Sequence, residues 1–442
     1  MTRRRLHLVL LRMLLSLLAA LAGPARAAGM EPCSYASVFP GAALNALVLP
    51  YHAEIRDGRV PPPELQLASR QIAALVHLEV LMGLLKYHSI GAKHLWAEPG
   101  EVCDVDVIIG RITRPGAAGA LRPGQGAVLV WGRLFEQAGE FYLQSYLRFV
   151  RQDGEGSEDG AAEQLWFKNG PLQLRGSLPT QAIAFAPRRI SRAELAQVDR
   201  DFRQAMVLRS RPERSAPGRA IEFSPHQALA YWVSEARGDW LRLQSQQGGP
   251  GGWVQVATQP GEQAAWSLQR WLPELAYVDA VSAFVRLRVD GLTAAQRTRT
   301  AALMEQGLSR YERAVPADLA PSAWGLASAL RGWQAWEQGR YEAALALFEK
   351  AQAQLPAFAG ARQLAALARV SVGPEALNAD SAARLSRELM GALALAPDNA
   401  QLLSNLERLY SFYEQQRPDW SPFEPEALRE RQLIVRAAAR RP

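Results

Sequence analysis

The feature that most constrains the fold is a spaced set of small and large residues in the C-terminal half of the chain. The set spans residues 332–356 and consists of Gly332, Gly339, Tyr341, Ala344, Phe348, Ala351 and Pro356. Small residues at helical spacing let two helices approach closely, and large residues fill the space between them. The pattern therefore predicts two helices that pack against each other, with the turn between them at Gly339.

This set resembles the tetratricopeptide repeat (TPR), although Ala335 stands where that family usually has an aromatic residue and Trp336 lies next to it. The resemblance implies stacked helix pairs, because a single helical repeat cannot bury its own apolar face. The inner helices of such a stack line a concave surface that suits an extended peptide or a partner helix. Trp324, Arg331 and Arg340 are predicted surface contacts, and Trp333 is predicted either at the surface or in the core.

The neighbouring repeats are less regular. Ala392 and Pro397 fit the end of a second repeat, but Pro397 follows Pro356 by 41 residues, which is longer than the repeat of the family. A third repeat begins near Leu403, and residues 304–313 fit an earlier helix of the same array. We expect two and a half to three repeats, with a polar C-terminal cap from residues 426–440.

The N-terminal sequence predicts that the protein is exported. Arginines precede an apolar run at residues 13–22, and the small-x-small sequence Ala25-Arg26-Ala27 follows it, as in a secretory signal peptide. A retained membrane anchor is the alternative, but a membrane span needs about 20 apolar residues. The sequence therefore predicts a signal peptide at residues 1–27 and a periplasmic protein that is not an integral membrane protein.

The basic character of the chain comes mainly from this segment. The formal net charge is +7, and residues 1–27 contain five arginines and no acidic residue, so the remaining chain is close to +2. Such a weak excess of positive charge does not favour nucleic acid as a partner.

Two cysteines, Cys33 and Cys103, are present. An isolated pair in an exported protein is expected to form a disulfide, and this bond would tie the mature N-terminus to the first domain. Two unrelated buried thiols are the alternative.

Composition divides the chain into a multidomain protein with an N-terminal α/β domain, a small β-barrel and a C-terminal all-α array. The predicted boundaries are a signal peptide at 1–27, an α/β domain at 44–186, a linking helix at 187–203, a barrel at 204–258, a helical connector at 259–316 and helical repeats at 317–442.

The first domain shows four patterns in order. An apolar strand at 46–50 precedes a long helix within 65–85, a buried strand is predicted at 105–112, and a hairpin follows at 128–150 with its turn at 136–139. This order resembles the N-terminal domain of TolB and related envelope proteins. The resemblance covers about a third of the chain and implies a module that binds proteins rather than one that performs chemistry.

The second domain contains three blocks, at 207–212, 231–243 and 251–254, that resemble bacterial SH3 domains over about 50 residues. The usual asparagine is missing before Val207. The resemblance implies binding of peptidoglycan or of short peptides. The predicted ligand groove contains Tyr231, Trp232, Trp240 and Trp253. Trp240 and Trp253 are also expected as apolar bulk of a small barrel, whereas Tyr231 and Trp232 are the better groove candidates.

Enzyme motifs were not found: the sequence contains no GxxxxGK[ST], HExxH or GxSxG, and no GxGxxG after a strand. We therefore predict no catalytic residues and no cofactor. We reject one possible metal set, because its spacing fits no helical or CxxC site and Cys103 is expected in the disulfide: His88, His94, Cys103, Asp104 and Asp106.

These patterns predict a non-enzymatic envelope scaffold or assembly factor that binds proteins through TPR and SH3-like modules. The alternative is a peptidoglycan-binding regulator, or an accessory subunit of a wall-acting enzyme, in which the SH3-like module anchors the protein to the cell wall. The predicted partners are envelope proteins, with peptidoglycan as the alternative ligand.

Overall fold

The computed structural model describes residues 28–55, 60–87, 89–97, 103–152, 165–176, 182–221, 231–245, 251–256, 272–288, 292–373, 377–397 and 399–416, and the isolated positions 426, 429 and 433. The predicted signal peptide, His88 and most of the predicted C-terminal cap lie outside these residues.

The N-terminal part is built on one large mixed sheet. Its strand order is β1-β3-β2-β4-β5, with β8 and β9 both pairing with β5, and the pairs β1/β3, β3/β2 and β2/β4 are parallel. The strands are β1 (Ala28–Pro32), β2 (Leu44–Ile55), β3 (Ile90–Trp96), β4 (Gly126–Gln137), β5 (Glu140–Arg151), β8 (Ile183–Ala184) and β9 (Arg188–Ile190).

The predicted hairpin at 128–150 is present as the antiparallel pair β4/β5. The register runs from Gly126 opposite Arg151 to Gln137 opposite Glu140. Ala138 and Gly139 form the two-residue turn, and both have positive φ angles, of 53° and 78°. This geometry is that of the primed turns, whose twist matches the twist of paired strands.

One face of the sheet is covered by helices α1 (Pro63–Leu84) and α4 (Glu274–Arg288). Helix α3 (Arg192–Ala205) packs on α1 and begins with a capping box between Ser191 and Glu194. The segment predicted as a linking helix at 187–203 therefore supplies a helix of this layer. Within the described residues, α1 is the one helix long and apolar enough to cross a bilayer, and most of it is buried inside the fold.

The opposite face of the sheet is covered by the N-terminal segment and helix α2 (Val105–Ile112). The strand predicted at 105–112 was wrong. Asp104 accepts hydrogen bonds from the backbone N–H groups of Asp106 and Val107 and so caps a helix. Ile108, Ile109 and Ile112 are buried and Val107 is exposed, which is the pattern of one helical face.

The predicted disulfide is confirmed, because Cys33 and Cys103 are bonded with 5.4 Å between their Cα atoms. Both cysteines are buried. Arg111 of α2 donates hydrogen bonds to the carbonyl oxygens of Cys33 and Ser34. The bond thus joins the segment after β1 to the start of α2.

The second sheet is small and antiparallel, with the order β11-β10-β14-β13-β12. Gly238 has a φ of +58° and forms a turn with Asp239 between β12 and β13. The strands are β10 (Val207–Arg209), β11 (Gly218–Ala220), β12 (Tyr231–Arg237), β13 (Trp240–Ser245) and β14 (Gly252–Gln255).

After α4 the described chain is helical, and successive helices pack on each other. The helices are α5 (Ala294–Ala314), α6 (Ala320–Glu337), α7 (Tyr341–Gln354), α8 (Ala359–Val372), α9 (Ala379–Leu395) and α10 (Ala400–Gln416). We call α4 to α10 the helical array. The protein thus combines mixed α/β structure with helices in its C-terminal half, as the sequence predicts at this level.

The residues of the 332–356 set lie in α6, in the turn after it, in α7 and just beyond the end of α7. A Cβ atom on Gly332 would stand 2.8 Å from ring atoms of Phe348, so glycine permits the close approach of the two helices. Gly339 has a φ of +73° and ends α6. Ala344, Phe348 and Ala351 are fully buried, whereas Tyr341 is exposed.

Candidate functional site

A third β structure, which the sequence analysis missed, lies on the helical array. Strands β6 (Leu165–Asn169) and β7 (Leu172–Gly176) form a two-stranded antiparallel sheet with Gly170 and Pro171 at its turn. We call residues 165–176 the docked hairpin. Among the described residues, it pairs with no strand of the two larger sheets.

The docked hairpin has one buried face and one exposed face, because neighbouring side chains on a strand point in opposite directions. The buried side chains are those of Leu165, Phe167, Leu172 and Leu174. On the other face, Trp166 is 44% exposed and Lys168 and Gln173 are also exposed. The guanidinium of Arg175 lies 4.7 Å from the centre of the Trp166 ring.

The buried face contacts alternate helices of the array: α6, α8 and α10. Phe167 packs on Trp336 of α6, with 4.3 Å between the ring centres. Gly176 lies so close to α8 that a Cβ atom there would stand 2.8 Å from Leu364 and 3.2 Å from Leu367. We call the surface formed by Trp336, Gln363, Leu364, Leu367 and Asn405 the inner groove.

Polar side chains of the inner groove bind main-chain atoms of the docked hairpin. Asn405 accepts a hydrogen bond from the Arg175 N–H at 2.9 Å and donates one to the Arg175 carbonyl oxygen. Gln363 donates to the same carbonyl at 3.2 Å, and the indole N–H of Trp336 donates to the carbonyl of Trp166 at 3.2 Å. Because Arg175 and Trp166 are cross-strand partners, both edges of the hairpin are held.

The carboxamide of Asn405 has the same donor and acceptor groups as a peptide bond, so it can pair with a strand edge. This contact involves no side-chain atom of Arg175. Asn405 is 1% exposed and Gln363 is 0% exposed, so the groove holds these groups away from water. A buried polar group that loses its partner is costly, and the groove therefore favours an extended main chain at this position.

The turn end of the hairpin is fixed by Asn169. Its side chain donates to the carbonyl of Val370 at 2.8 Å and accepts from the backbone N–H of Leu377 at 3.2 Å. Asn169 therefore satisfies a carbonyl in the last turn of α8 and an N–H beyond its end, where helical hydrogen bonding stops.

The pairing in the groove is incomplete in one respect. Gln363 uses its amide N–H, but its Oε1 atom is buried and has no hydrogen-bond partner in the described part of the chain. A buried acceptor without a hydrogen bond lowers stability, and an occupant with a suitably placed donor would restore that stability.

The remaining predicted surface contacts of the array fall into different environments. Trp333 of α6 is fully buried against Phe284 of α4, and Trp324 is exposed. Arg331 forms ion pairs with Glu305 and Glu312 of α5. Arg340 hydrogen-bonds Gln338 at the end of α6.

The residues of the predicted SH3-like groove lie in the small sheet. Trp240 and Trp253 are buried, as expected for apolar bulk of a small β structure, and the guanidinium of Arg237 lies 5.2 Å from the Trp253 ring. The backbones of Tyr231 and Trp232 pair with β13, but their side chains lie outside the described residues.

Four residues of the rejected metal set lie within the described chain, and each has another partner. His94 stacks on His77 of α1 with 5.6 Å between ring centres, and Cys103 is in the disulfide. Asp104 caps α2, and Asp106 pairs with Arg148. In the parts of the chain that the structure describes, no group of three or more His, Cys, Asp or Glu side chains is placed to hold a metal ion.

A buried polar cluster lies between the large sheet and α4. The hydroxyl groups of Tyr51 and Ser145 are 3.0 Å apart, and Ser145 also hydrogen-bonds Glu274. Burial raises the pKa of Tyr51, and burial raises the pKa of Glu274 against the opposing effect of the Ser145 hydrogen bond. Tyr51 and Ser145 are nearly inaccessible, so this cluster links sheet and helix and offers no accessible nucleophile.

Comparison with known proteins gives no relative from which to assign the groove. No protein-family model, no curated protein and no solved structure gives a significant match to the chain. The function is therefore argued from the docked hairpin and the groove that holds it.

Proposed function

We propose that this protein is an exported, non-enzymatic scaffold or assembly factor of the cell envelope that binds other proteins through its helical array. In this proposal the array is TPR-type, and the small sheet is an SH3-like module that provides a second binding element. The periplasm is the proposed location, and a disulfide between Cys33 and Cys103 agrees with an oxidising compartment.

One observation supports this proposal most directly. The inner groove holds an extended polypeptide segment through main-chain hydrogen bonds from Asn405, Gln363 and Trp336, and through an apolar contact with Phe167. Main-chain hydrogen bonds with pockets for alternate side chains are a general mode of peptide recognition. The segment in the groove belongs to the same chain, so the array already binds a peptide in this way.

The proposal is tested by purifying the mature chain from envelope extract after cross-linking and identifying bound proteins by mass spectrometry. An unrelated exported protein of similar size serves as the control. We expect at least one envelope protein to be enriched with the mature chain alone. Recovery of the same proteins with both baits would contradict the proposal.

Two variants then locate the binding region. Loss of the partner in Gln363→Ala/Asn405→Ala assigns binding to the inner groove, and loss in Tyr231→Ala/Trp232→Ala assigns it to the small sheet. Sedimentation with purified sacculi separates the alternative function. Sacculus binding that Trp232→Ala abolishes, without any enriched protein, would favour a peptidoglycan-binding regulator.

A further inference from the structure

We propose that the inner groove is an exchangeable binding site and that the docked hairpin is its internal occupant. The external occupant is an extended segment of a partner protein with large apolar side chains at alternate positions. This inference rests on the proposed function and specifies how a partner gains access to the array.

The chemistry of the occupant follows from the docked hairpin. Phe167 and Leu174 are cross-strand partners that point into the groove, and Phe167 contacts Trp336. The two hydrogen bonds of Asn405 go to the main chain of Arg175 and do not involve its side chain. A partner strand therefore needs apolar residues on one face, a free edge with N–H and C=O groups, and a small residue at the position of Gly176.

The docked hairpin is separable from the rest of the fold. Within the described residues it forms a sheet of its own, and a two-stranded hairpin is marginally stable in isolation. Its release would break no strand pair of the two larger sheets. It would expose the inner groove while leaving the packing of α4 on the large sheet intact.

The docked hairpin does not satisfy every polar group of the inner groove, so another segment could bind the groove more tightly. The buried Oε1 atom of Gln363 has no partner among the described residues, and the Trp166 side chain on the outer face is 44% exposed. A segment that offers a hydrogen-bond donor to Gln363 would satisfy a group that the docked hairpin leaves unpaired.

An occupant that belongs to the same chain competes at a high effective concentration, of order millimolar. The intact chain should therefore bind a copy of the hairpin weakly. The probe is a fluorescent synthetic peptide that copies residues 165–176, and a peptide of scrambled order is its control. Binding is measured by fluorescence anisotropy with the full mature chain.

The opened variant is Phe167→Ala/Leu174→Ala, which removes the two apolar anchors of the internal hairpin. We expect it to bind the peptide about 100-fold more tightly than the unmodified chain, because the internal competitor is weakened. Adding Asn405→Ala should reduce this affinity about tenfold, as expected for loss of buried hydrogen bonds. Lys168→Ala alters the exposed face and should bind like the unmodified chain.

A folded opened variant that binds the peptide no better than the unmodified chain would overturn the inference. If the opened variant fails to fold, hydrogen exchange on the unmodified chain decides. Amides of residues 165–176 should then exchange at least tenfold faster than those of α4, because the hairpin opens locally. If residues 165–176 and α4 both exchange only through global unfolding, the hairpin is a permanent part of the core.

These outcomes separate the inference from the proposed function. Peptide binding by the opened variant without any enriched envelope protein would support an exchangeable groove and contradict the scaffold function. Enrichment of a partner that is equal for the unmodified and opened chains, with no peptide binding, would support the scaffold function through another surface and contradict the exchangeable groove.

Discussion

The helical array contacts two β structures, and it holds them by different means. Its first helix, α4, packs on the large sheet through aromatic contacts: Phe284 lies edge-on to Phe149 of β5 and to Trp333 of α6. Its later helices, α8 and α10, hold the docked hairpin through the amide side chains of Gln363 and Asn405 as well as apolar contacts.

The difference indicates different roles. Close packing of large aromatic side chains depends on shape, so the α4 contact suits a permanent core. Hydrogen bonds from carboxamides to a main chain depend little on the side chains of the bound segment. The contact made by α8 and α10 therefore suits an occupant that can be replaced. One array thus combines a structural contact with a recognition contact.

The largest expected effect compares two matched phenylalanines. Phe284 is 0% exposed and Phe167 is 1% exposed, and truncation of a buried Phe to Ala costs about 3–5 kcal/mol when the site stays packed. We expect Phe284→Ala to lower the free energy of global unfolding by this amount. Phe167→Ala should lower it less, because the hairpin can detach and so limit the loss.

Urea unfolding and hydrogen exchange measure the two effects. Phe284→Ala should shift the urea midpoint and speed exchange throughout the chain, whereas Phe167→Ala should speed exchange mainly in residues 165–176. Equal midpoint shifts with global exchange in both variants would remove the distinction between the two contacts.

Mild acid should act on the large-sheet region and leave the inner groove unchanged. His77 of α1 and His94 of β3 stack in the core, and burial lowers the pKa of His77 to about 3 and that of His94 to about 4. The groove contacts the hairpin through Asn405, Gln363 and Trp336, which do not titrate in this range.

The sign follows from the lowered pKa values. Above the unfolded pKa of about 6.5 both states are neutral and stability is complete. As the pH falls below this value, the histidines bind protons in the unfolded state but stay neutral in the folded state. The free energy of unfolding therefore falls until the folded pKa is reached. Between pH 7 and pH 5 we expect a loss of about 2 kcal/mol from His77.

Urea unfolding of the unmodified chain and of His77→Leu at pH 7 and pH 5 measures this loss. The acid-induced loss should be smaller in the variant by about 2 kcal/mol. Exchange of residues 165–176, corrected for intrinsic rates, should change no more than that of α1. An unchanged acid response in His77→Leu would show that the histidine pair does not control it.

The sequence predicted local structure better than the contacts between distant parts. The β4/β5 hairpin was evident from its alternation and its turn residues, and the disulfide from the cysteine count. The strand predicted at 105–112 was wrong because a short apolar run fits a strand or a buried helix, and the Asp104 cap decides between them. Strand β3 at Ile90–Trp96 was missed.

The candidate site was missed although its local signal is present. Apolar and polar residues alternate from Leu172 to Arg175, and the run before Gly170-Pro171 ends in Phe167-Lys168-Asn169, which is compatible with a hairpin that has one buried face. Nothing in a single sequence tells which surface buries that face. Asn405 lies about 230 residues further along the chain. Its pairing with Arg175 depends on the packing of the whole array, which local patterns do not encode.

The smallest expected effect tests the amide contact by itself. Asn405→Ala removes two hydrogen bonds to the main chain of Arg175, whose carbonyl oxygen keeps the bond from Gln363, so the expected cost is about 1–1.5 kcal/mol. Because the loss falls on hairpin docking, exchange in residues 165–176 should rise about tenfold, while the protection of α4 is retained.

Asn405→Asp is the matched control, since it keeps the shape and the acceptor and loses the donor to the Arg175 carbonyl. In Asn405→Asp the exchange rate of residues 165–176 should rise at least as much as in Asn405→Ala, because a carboxylate would face a carbonyl oxygen in a buried site. Unmodified protection of residues 165–176 in both variants would mean that the two Asn405 bonds do not hold the hairpin. The contrast between the two contacts of the array would then lose its main support, because Asn405 would confer no recognition of the main chain.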